Sequence, residues 1–536
     1  HRFRSRSDVE VILHGYEAFG VDVVTRLRGM FAFALWDANN RRFFAGRDRA
    51  GEKPFFYAQT PQRLLFGSEM KALLLRPEAS REMDFDALDQ FLTYGYVLNP
   101  RTIFADVRSL PPAHYLIYER GSVKIERYWD PASVPIRSWS DDEAASALRE
   151  ALSRAVTAQM MSDVPLGAFM GGDVDSSAVV GLMATAAEQP VSTFSLGFDA
   201  AGYDELPQAR AVASHFGTDH REAVVDPDLP TLFERVAAHF DQPFADASSF
   251  PIFLVSQIAR QHVTTALSGS GGAALFGGYR TYRIEALARR VSKLAPDAAL
   301  RLLSAATALL PHSEKKQGVI NRLRRFARGL ATGPENIAHY RWMTVLDVPE
   351  KRRIYTPALR RALVDSDVYA PIRRHLQGAH TDDLLNRQLY ADLQVFLSDD
   401  LLVAVDRLSM ATSLETRAPF LDVDVMELAF SMPGSLKIRN GDRQYILKLA
   451  LRPLLPESTL QRPTAGFFMP TRTWLRHQWA LPMQDLLGPD QVRRRGWFEP
   501  GEVTRRVDEH LAGRRDHARL LFGLMVLERW SQTFLD

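Results

Sequence analysis

The chain has 536 residues, 46% of them hydrophobic and 24% charged, with a formal net charge of +2. That is a globular balance, too long for one domain and too near neutral for a whole-chain attraction to nucleic acid or a membrane. The sequence has no cysteine, which excludes disulfides, Cys-ligated zinc and a cysteine nucleophile among these residues.

No apolar run approaches the ~18 residues of a membrane span. The start, His1-Arg-Phe-Arg-Ser-Arg6, is basic but has no apolar segment behind it, so it is not a signal peptide. It also lacks a methionine, and the expectation is a chain that begins mid-protein, in the cytoplasm. In chain order, residues 1 to 128 read as β-rich. Gly29 to Asp37 and Arg42 to Arg47 are short apolar strands, and Asp37-Ala-Asn-Asn40 between them suggests a hairpin. Leu64 to Gly67 and His114 to Tyr118 continue the pattern. Trp129 to Pro135, with its prolines in a polar setting, reads as a linker. Ser140-Asp-Asp-Glu143 is an N-cap signature that opens a long helix.

From Val164 strands and helices alternate. Val191 to Phe198 is a strand, Leu206 to Phe216 a helix, and Thr264 to Ser268 a buried strand that runs into Gly269-Ser-Gly-Gly272. Such alternation predicts a parallel sheet with ligands at its strand C-termini. Beyond about residue 280 the pattern is mostly helical. Its basic residues lack interleaved aromatics and read as solvated helix surface rather than an RNA face.

Two loops carry the chemistry. Asp163 to Ser177 reads as a buried strand that turns into a helix start, a geometry that aims backbone N–H groups at an anion. Glycines there let the backbone approach phosphates with no Cβ in the way. Asp175 suits magnesium, which takes carboxylate and phosphate oxygens; it also suits an N-cap. The second loop is Ser268 to Tyr279. Its Gly269-Ser-Gly271-Gly-Ala-Ala274 stretch also fits a dinucleotide fingerprint, with Glu285 too near to be the usual acidic partner.

The first loop resembles the S-G-G-x-D-S loop of enzymes that cleave ATP to AMP and pyrophosphate. The whole chain resembles the class-B, glutamine-hydrolysing asparagine synthetases and their amidotransferase relatives. The resemblance is carried by Ser7-Asp8-Val-Glu10-Val, Gly29 to Asp37, Arg47 to Pro54, Phe169 to Ser177, Ala266 to Gly269, Leu275 to Tyr279, Asp406 to Met410 and Glu415 to Asp422. It implies an α/β protein in two parts. Residues 1–130 would be a truncated, β-rich sandwich of the N-terminal nucleophile glutaminase type, its nucleophile lying before His1. Residues 138–536 would be an ATP-pyrophosphatase domain with a parallel sheet and a helical C-terminal part. The implied ligands are ATP, magnesium, aspartate or another carboxylate, and glutamine or ammonia. No nucleic acid or membrane partner is expected, and a homodimer is compatible with the family.

By resemblance, Asp8 binds the amino group of glutamine; otherwise it would be a surface strand residue. Met170 and Leu196 line the adenine pocket, Gly172, Ser176 and Ser177 serve phosphates, and Ser268 and Gly269 contact nucleotide through their backbone. Asp175 is the remaining metal ligand. Glu415 and Arg417 are either catalytic or an ion pair that shapes the pocket. Other family positions are altered. Gly171 stands for the family Ser and Asp173 for the second Gly. Ser270, Ala273 and Ala274 stand where the family has acids, and Ala404 and Thr464 where it has lysines. The changes fall on polar, phosphate-facing positions while their apolar and turn neighbours are intact. The expectation is a preserved fold with ATP-dependent amide formation impaired or lost. The alternatives are a relative acting on another substrate, or a non-catalytic scaffold.

Overall fold

A helix at Asp8–Phe19 opens the chain, with the Ser7 hydroxyl accepting from the Val9 backbone N–H. Asp8 is therefore in the first turn of a helix, where acids are favoured by the helix dipole; its alternative placement on a surface strand is corrected. This is a computed structural model, and it describes every residue except 62, 199–204, 226–227, 309–318, 332–336 and 463–468.

Seven antiparallel strands follow: β1 (Ala32–Asp37), β2 (Arg42–Arg47), β3 (Phe56–Gln59), β4 (Leu64–Gly67), β5 (Val107–Ser109), β6 (His114–Glu119) and β7 (Ser122–Arg127). They form a sheet of order β1-β2-β6-β7 and a second of order β4-β3-β5. The expected hairpin joins β1 to β2, and its turn is held by the Asn40 N–H donating to the Asp37 carboxylate at 3.0 Å. Side chains alternate across the pleat. Phe43, Ala45 and Leu116 therefore face Phe55 and Tyr57 between the two sheets, while Phe44 points the other way onto Val23 and Val24.

The predicted capping box is present. Ser140 and Glu143 satisfy each other's backbone N–H groups at the start of the helix Asp141–Gln159. The second sheet system is parallel and runs β10 (Asp219–Val225), β9 (Ser192–Phe198), β8 (Leu166–Phe169), β11 (Thr265–Leu267), β12 (Glu415–Arg417). The chain leaves β8 toward β9 and β10, then returns to the other side of β8 as β11. That reversal opens a crevice at the C-terminal ends of β8 and β11, where ligands bind in open α/β sheets.

Past Arg280 the described chain is almost wholly helical. The helix Leu384–Asp392 continues through a π-helical stretch, Leu393–Leu401, into Leu402–Met410. One apolar cluster joins the two parts of the chain: Phe91 and Phe104 pack with Phe250, Trp479 and Trp530. The Lys53 ammonium meets Asp406 at 2.8 Å across the same boundary, and Arg28 meets Asp422 at 2.9 Å.

Candidate active site

The crevice begins where β8 ends. Gly171 and Gly172 carry the chain into the helix Val174–Ala186, whose N-cap is Asp173. The Asp173 carboxylate accepts from the Ser176 backbone N–H at 2.9 Å and from the Ser176 hydroxyl. The Ser176 oxygen in turn accepts from the Gly171 N–H at 3.2 Å. The helix N-terminus, where an anion would be drawn by free N–H groups and the dipole, is thus already serving a carboxylate of its own chain. The cap is Asp173, which corrects the alternative that gave this role to Asp175. Gly172 has φ +71°, and a Cβ there would lie 2.8 Å from the backbone of Gln208. The turn therefore requires glycine.

Asp175 is fully buried. Burial first, then the neighbouring charge of Asp173, holds its carboxyl well above the usual carboxylate range. The Gln444 side chain donates to its Oδ1 at 2.5 Å. The loop after β11 presses on the same group. A Cβ on Gly272 would be 2.5 Å from that oxygen, and one on Gly269 would be 2.7 Å from the backbone of Asp175 and Ser176. The Ser268 N–H donates to the Arg417 carbonyl at 2.8 Å, and the Ser268 hydroxyl donates to Ser270 Oγ at 3.1 Å. Ala273 is buried, and Ala274 lies in an apolar cluster with Leu267, Leu421 and Val425.

Magnesium does not fit the residues present. It demands near-octahedral oxygen ligands with one or two carboxylates. Asp173 is spent on the helix cap, and Asp175 is walled in by Gly272 and bonded to Gln444. Ser270, Ala273 and Ala274 add no carboxylate. Among the described residues the only group of three or more His, Asp or Glu side chains close enough to share a metal is His1, ahead of the amino-terminal helix, with His14 and Glu17 on it.

Beside the phosphate loop is a small cleft lined by Met170, Gly171 and Leu196 together with Phe194, Glu205 and Val255. The two residues expected around adenine are therefore brought together next to Gly171. At its rim, Arg462 Nη1 donates to the Gly171 carbonyl at 3.2 Å and Nη2 to the Glu205 carboxylate at 3.4 Å. A second small cleft lies between the two parts of the chain, with Met30, Glu52 and Lys53 on one side and Ser268, Ser270 and Asp406 on the other. Burial, then the charge of Asp48, raises the Glu52 carboxyl well above its ordinary value.

The other expected residues lie apart from the phosphate loop. Arg417 Nε donates to Glu415 at 2.7 Å, and its Nη1 donates to the carbonyls of Gln159 and Met161 at 2.7 and 2.8 Å. The pair thus ties β12 to the end of the helix Asp141–Gln159. Ala404 is fully buried on the helix Leu402–Met410. Asp8 is exposed, its carboxylate accepting from the Val9 N–H at 2.9 Å. Thr464 lies outside the described residues. Glu285 is not available to a dinucleotide ribose, because its carboxylate is buried and bonded to Arg289 and Arg341.

Sequence reasoning missed Glu205, Arg462 and Gln444. Gln444 is fully buried with φ +57°, a left-handed conformation at the start of the helix Tyr445–Leu451. No spacing rule reaches it, since it meets Asp175 from 269 residues away. Arg462 lies two residues before Thr464, so the altered lysine position is the available signal for it.

The family model for asparagine synthase matches residues 147–532. The glutamine amidotransferase domain model matches residues 1–129. The chain is 28% identical to asparagine synthetase [glutamine-hydrolyzing] 1 of Bacillus subtilis, over 100% of this chain and 82% of that protein. It is 33% identical to a putative asparagine synthetase [glutamine-hydrolyzing] of Mycobacterium tuberculosis, over 100% of this chain and 81% of that protein. It is 25% identical to amidase chyE of Penicillium rubens, over 95% of this chain and 79% of that protein. Among the described residues no helix is long and apolar enough to cross a membrane.

Proposed function

Because the chain belongs to the asparagine synthase family, we propose that its fold is built for ATP-dependent amide formation on a carboxylate, aspartate or another, and that nucleotide handling is impaired at the phosphate loop. In this reading residues 1–130 and 138–536 are the two domains, in line with the family matches at 1–129 and 147–532. Adenine would sit against Met170 and Leu196, and the phosphates would approach Gly171, Gly172 and the helix that starts at Val174. Adenylation needs mainly positioning and neutralisation of charge on the transferring phosphorus. The residues present supply the positioning and little of the neutralisation, since Ala404 and Thr464 carry no charge. The 536 residues contain no cysteine, so a glutaminase nucleophile is not among them, and the amine donor is glutamine or ammonia.

One observation carries the impairment: the Asp173 carboxylate already occupies the Ser176 N–H at the helix N-terminus. A phosphate arriving there meets both a filled donor and a like charge. Two unit charges about 4 Å apart repel by about 4 kcal/mol at an effective dielectric near 20. That is about three decades of affinity. The test is calorimetric titration of ATP into this chain and into Asp173→Gly, followed by pyrophosphate release with aspartate and ammonium. Gain of ATP binding in Asp173→Gly, with little pyrophosphate from the parent, is the expected result. Equal binding by the two chains, or ordinary enzymatic release by the parent, would defeat the reading. The fungal amidase among the relatives favours one second reading, a carboxylate other than aspartate; substituting other amino-acid carboxylates in the same assay separates the two.

A further inference from the structure

We infer that Arg462 is the cationic clamp for the nucleotide's phosphates in this crevice, and that Glu205 holds its place when no anion is bound. The inference rests on the nucleotide reading above. Arg462 is held at the mouth of the phosphate loop by Nη1, which donates to the Gly171 carbonyl at 3.2 Å. Its other arm reaches the Glu205 carboxylate at 3.4 Å, longer than the ~2.7–2.9 Å of a well-formed charged pair. The guanidinium is mostly buried, with 18% of the side chain exposed, so it cannot drift far into solvent. An Arg fork has five donors in a fixed plane. It can keep Gly171 while Nη2 trades Glu205 for phosphate oxygens.

The placement of Glu205 supports the exchange. A Cβ built on Gly171 would be 3.4 Å from Glu205 Oε2, so this carboxylate lies beside the loop that phosphates would approach. The Ser176 N–H and the Arg462 guanidinium are thus each met by a carboxylate of the same chain: Asp173 on the Ser176 N–H, Glu205 on Arg462. Asp173 stands on the helix that would receive the phosphates. Glu205 precedes the next helix, Leu206–Phe216, and meets Arg462 through a loose contact that an incoming anion can replace. With Ala404 and Thr464 uncharged, Arg462 is the cation already in register with Gly171.

Inorganic pyrophosphate and ATP, each without metal, are the probes, titrated by calorimetry into the full chain carrying Asp173→Gly. In that background Arg462→Ala should weaken both ligands by about tenfold or more, the worth of one charge-assisted hydrogen bond. Arg462→Lys should keep part of the affinity, because charge remains and the fork is lost. Glu205→Gln should strengthen binding by releasing the fork. Melting curves confirm that each variant is folded. If Asp173→Gly binds and Arg462→Ala leaves its affinity unchanged, or Glu205→Gln weakens it, the clamp is overturned while the nucleotide reading stands. If Asp173→Gly binds neither probe, the nucleotide reading fails and takes the clamp with it.

Discussion

Asp173 combines two effects that substitution can separate. As an N-cap it satisfies the Ser176 N–H, and as a charge it repels phosphate. Asn caps a helix about as well as Asp, while Gly costs only a few tenths of a kcal/mol. Asp173→Asn should therefore leave the melting temperature near that of the parent, yet recover less ATP binding than Asp173→Gly, because the amide oxygen still occupies the Ser176 N–H. The order of affinity Gly above Asn above Asp, read by calorimetry, is the expected outcome; Asn binding as well as Gly would show that charge alone was the block. Lys437 is a separate case. It is fully buried, donates to Asn386 Oδ1 at 2.7 Å, and burial pulls its pKa from 10.5 down to about 7. The unfolded chain binds this proton more tightly than the folded one. Stability from this group therefore rises with pH between about 7 and 10.5, by up to about 1.4 kcal/mol per pH unit, and is flat below that window. Lys437→Met should remove that slope from denaturant unfolding measured at pH 7, 8 and 9. An unchanged slope would show that Lys437 stays charged in the fold.

At the scale of elements, the strand-turn-helix units hold their shape through glycines that fit specific neighbours. Gly269 lies against the backbone of Asp175 and Ser176, where a Cβ would be 2.7 Å away, whereas a Cβ on Gly171 would meet nothing nearer than Glu205 Oε2 at 3.4 Å. Gly269→Ala should thus cost roughly 1–3 kcal/mol through overpacking and shift the first loop. Gly171→Ser should fold normally. A Gly269→Ala chain as stable as the parent would contradict the close approach of the two loops. This contrast also marks what the sequence makes legible. The hairpin at Asp37–Asn40, the capping box at Ser140 and the Gly-rich ends of β8 and β11 follow from local turn and cap chemistry, so a local reading finds them. The left-handed Gln444 and the Arg462–Glu205 contact are set by tertiary packing between distant segments, which leaves no periodic trace. The π-helical Leu393–Leu401 is equally hidden, since its apolar and acidic residues fit an ordinary helix as well. Asp8 misled the strand reading because Ser7-Asp8 marks a helix start just as readily.

For the molecule as a whole, the question is whether the two sheet systems unfold separately. They share an apolar cluster through Phe91, Phe104, Phe250 and Trp530, and at its edge Lys53 meets Asp406 at 2.8 Å with 22% and 12% of their side chains exposed. Burial, the largest single influence, lowers the Lys53 pKa, but the charge and hydrogen bond of Asp406 together with the charges of Glu52 and Glu415 outweigh it and the pKa is raised. Lys53 is thus held in its charged form beside Asp406. Removing one member strands the other at low exposure, which costs more than the pair itself contributes. Lys53→Met and Asp406→Leu should each destabilise by about 1–3 kcal/mol, and the double variant should recover part of the loss, since an apolar pair can replace a mostly buried ionic one. The measurement is a double-mutant cycle by denaturant unfolding, followed both by tryptophan fluorescence and by far-UV circular dichroism. One coincident transition for all four chains is expected, because a shared core couples the two parts. A split transition in Lys53→Met, with the helical part unfolding at the parent midpoint, would show that this contact, rather than the apolar cluster, is what makes the chain unfold as one unit.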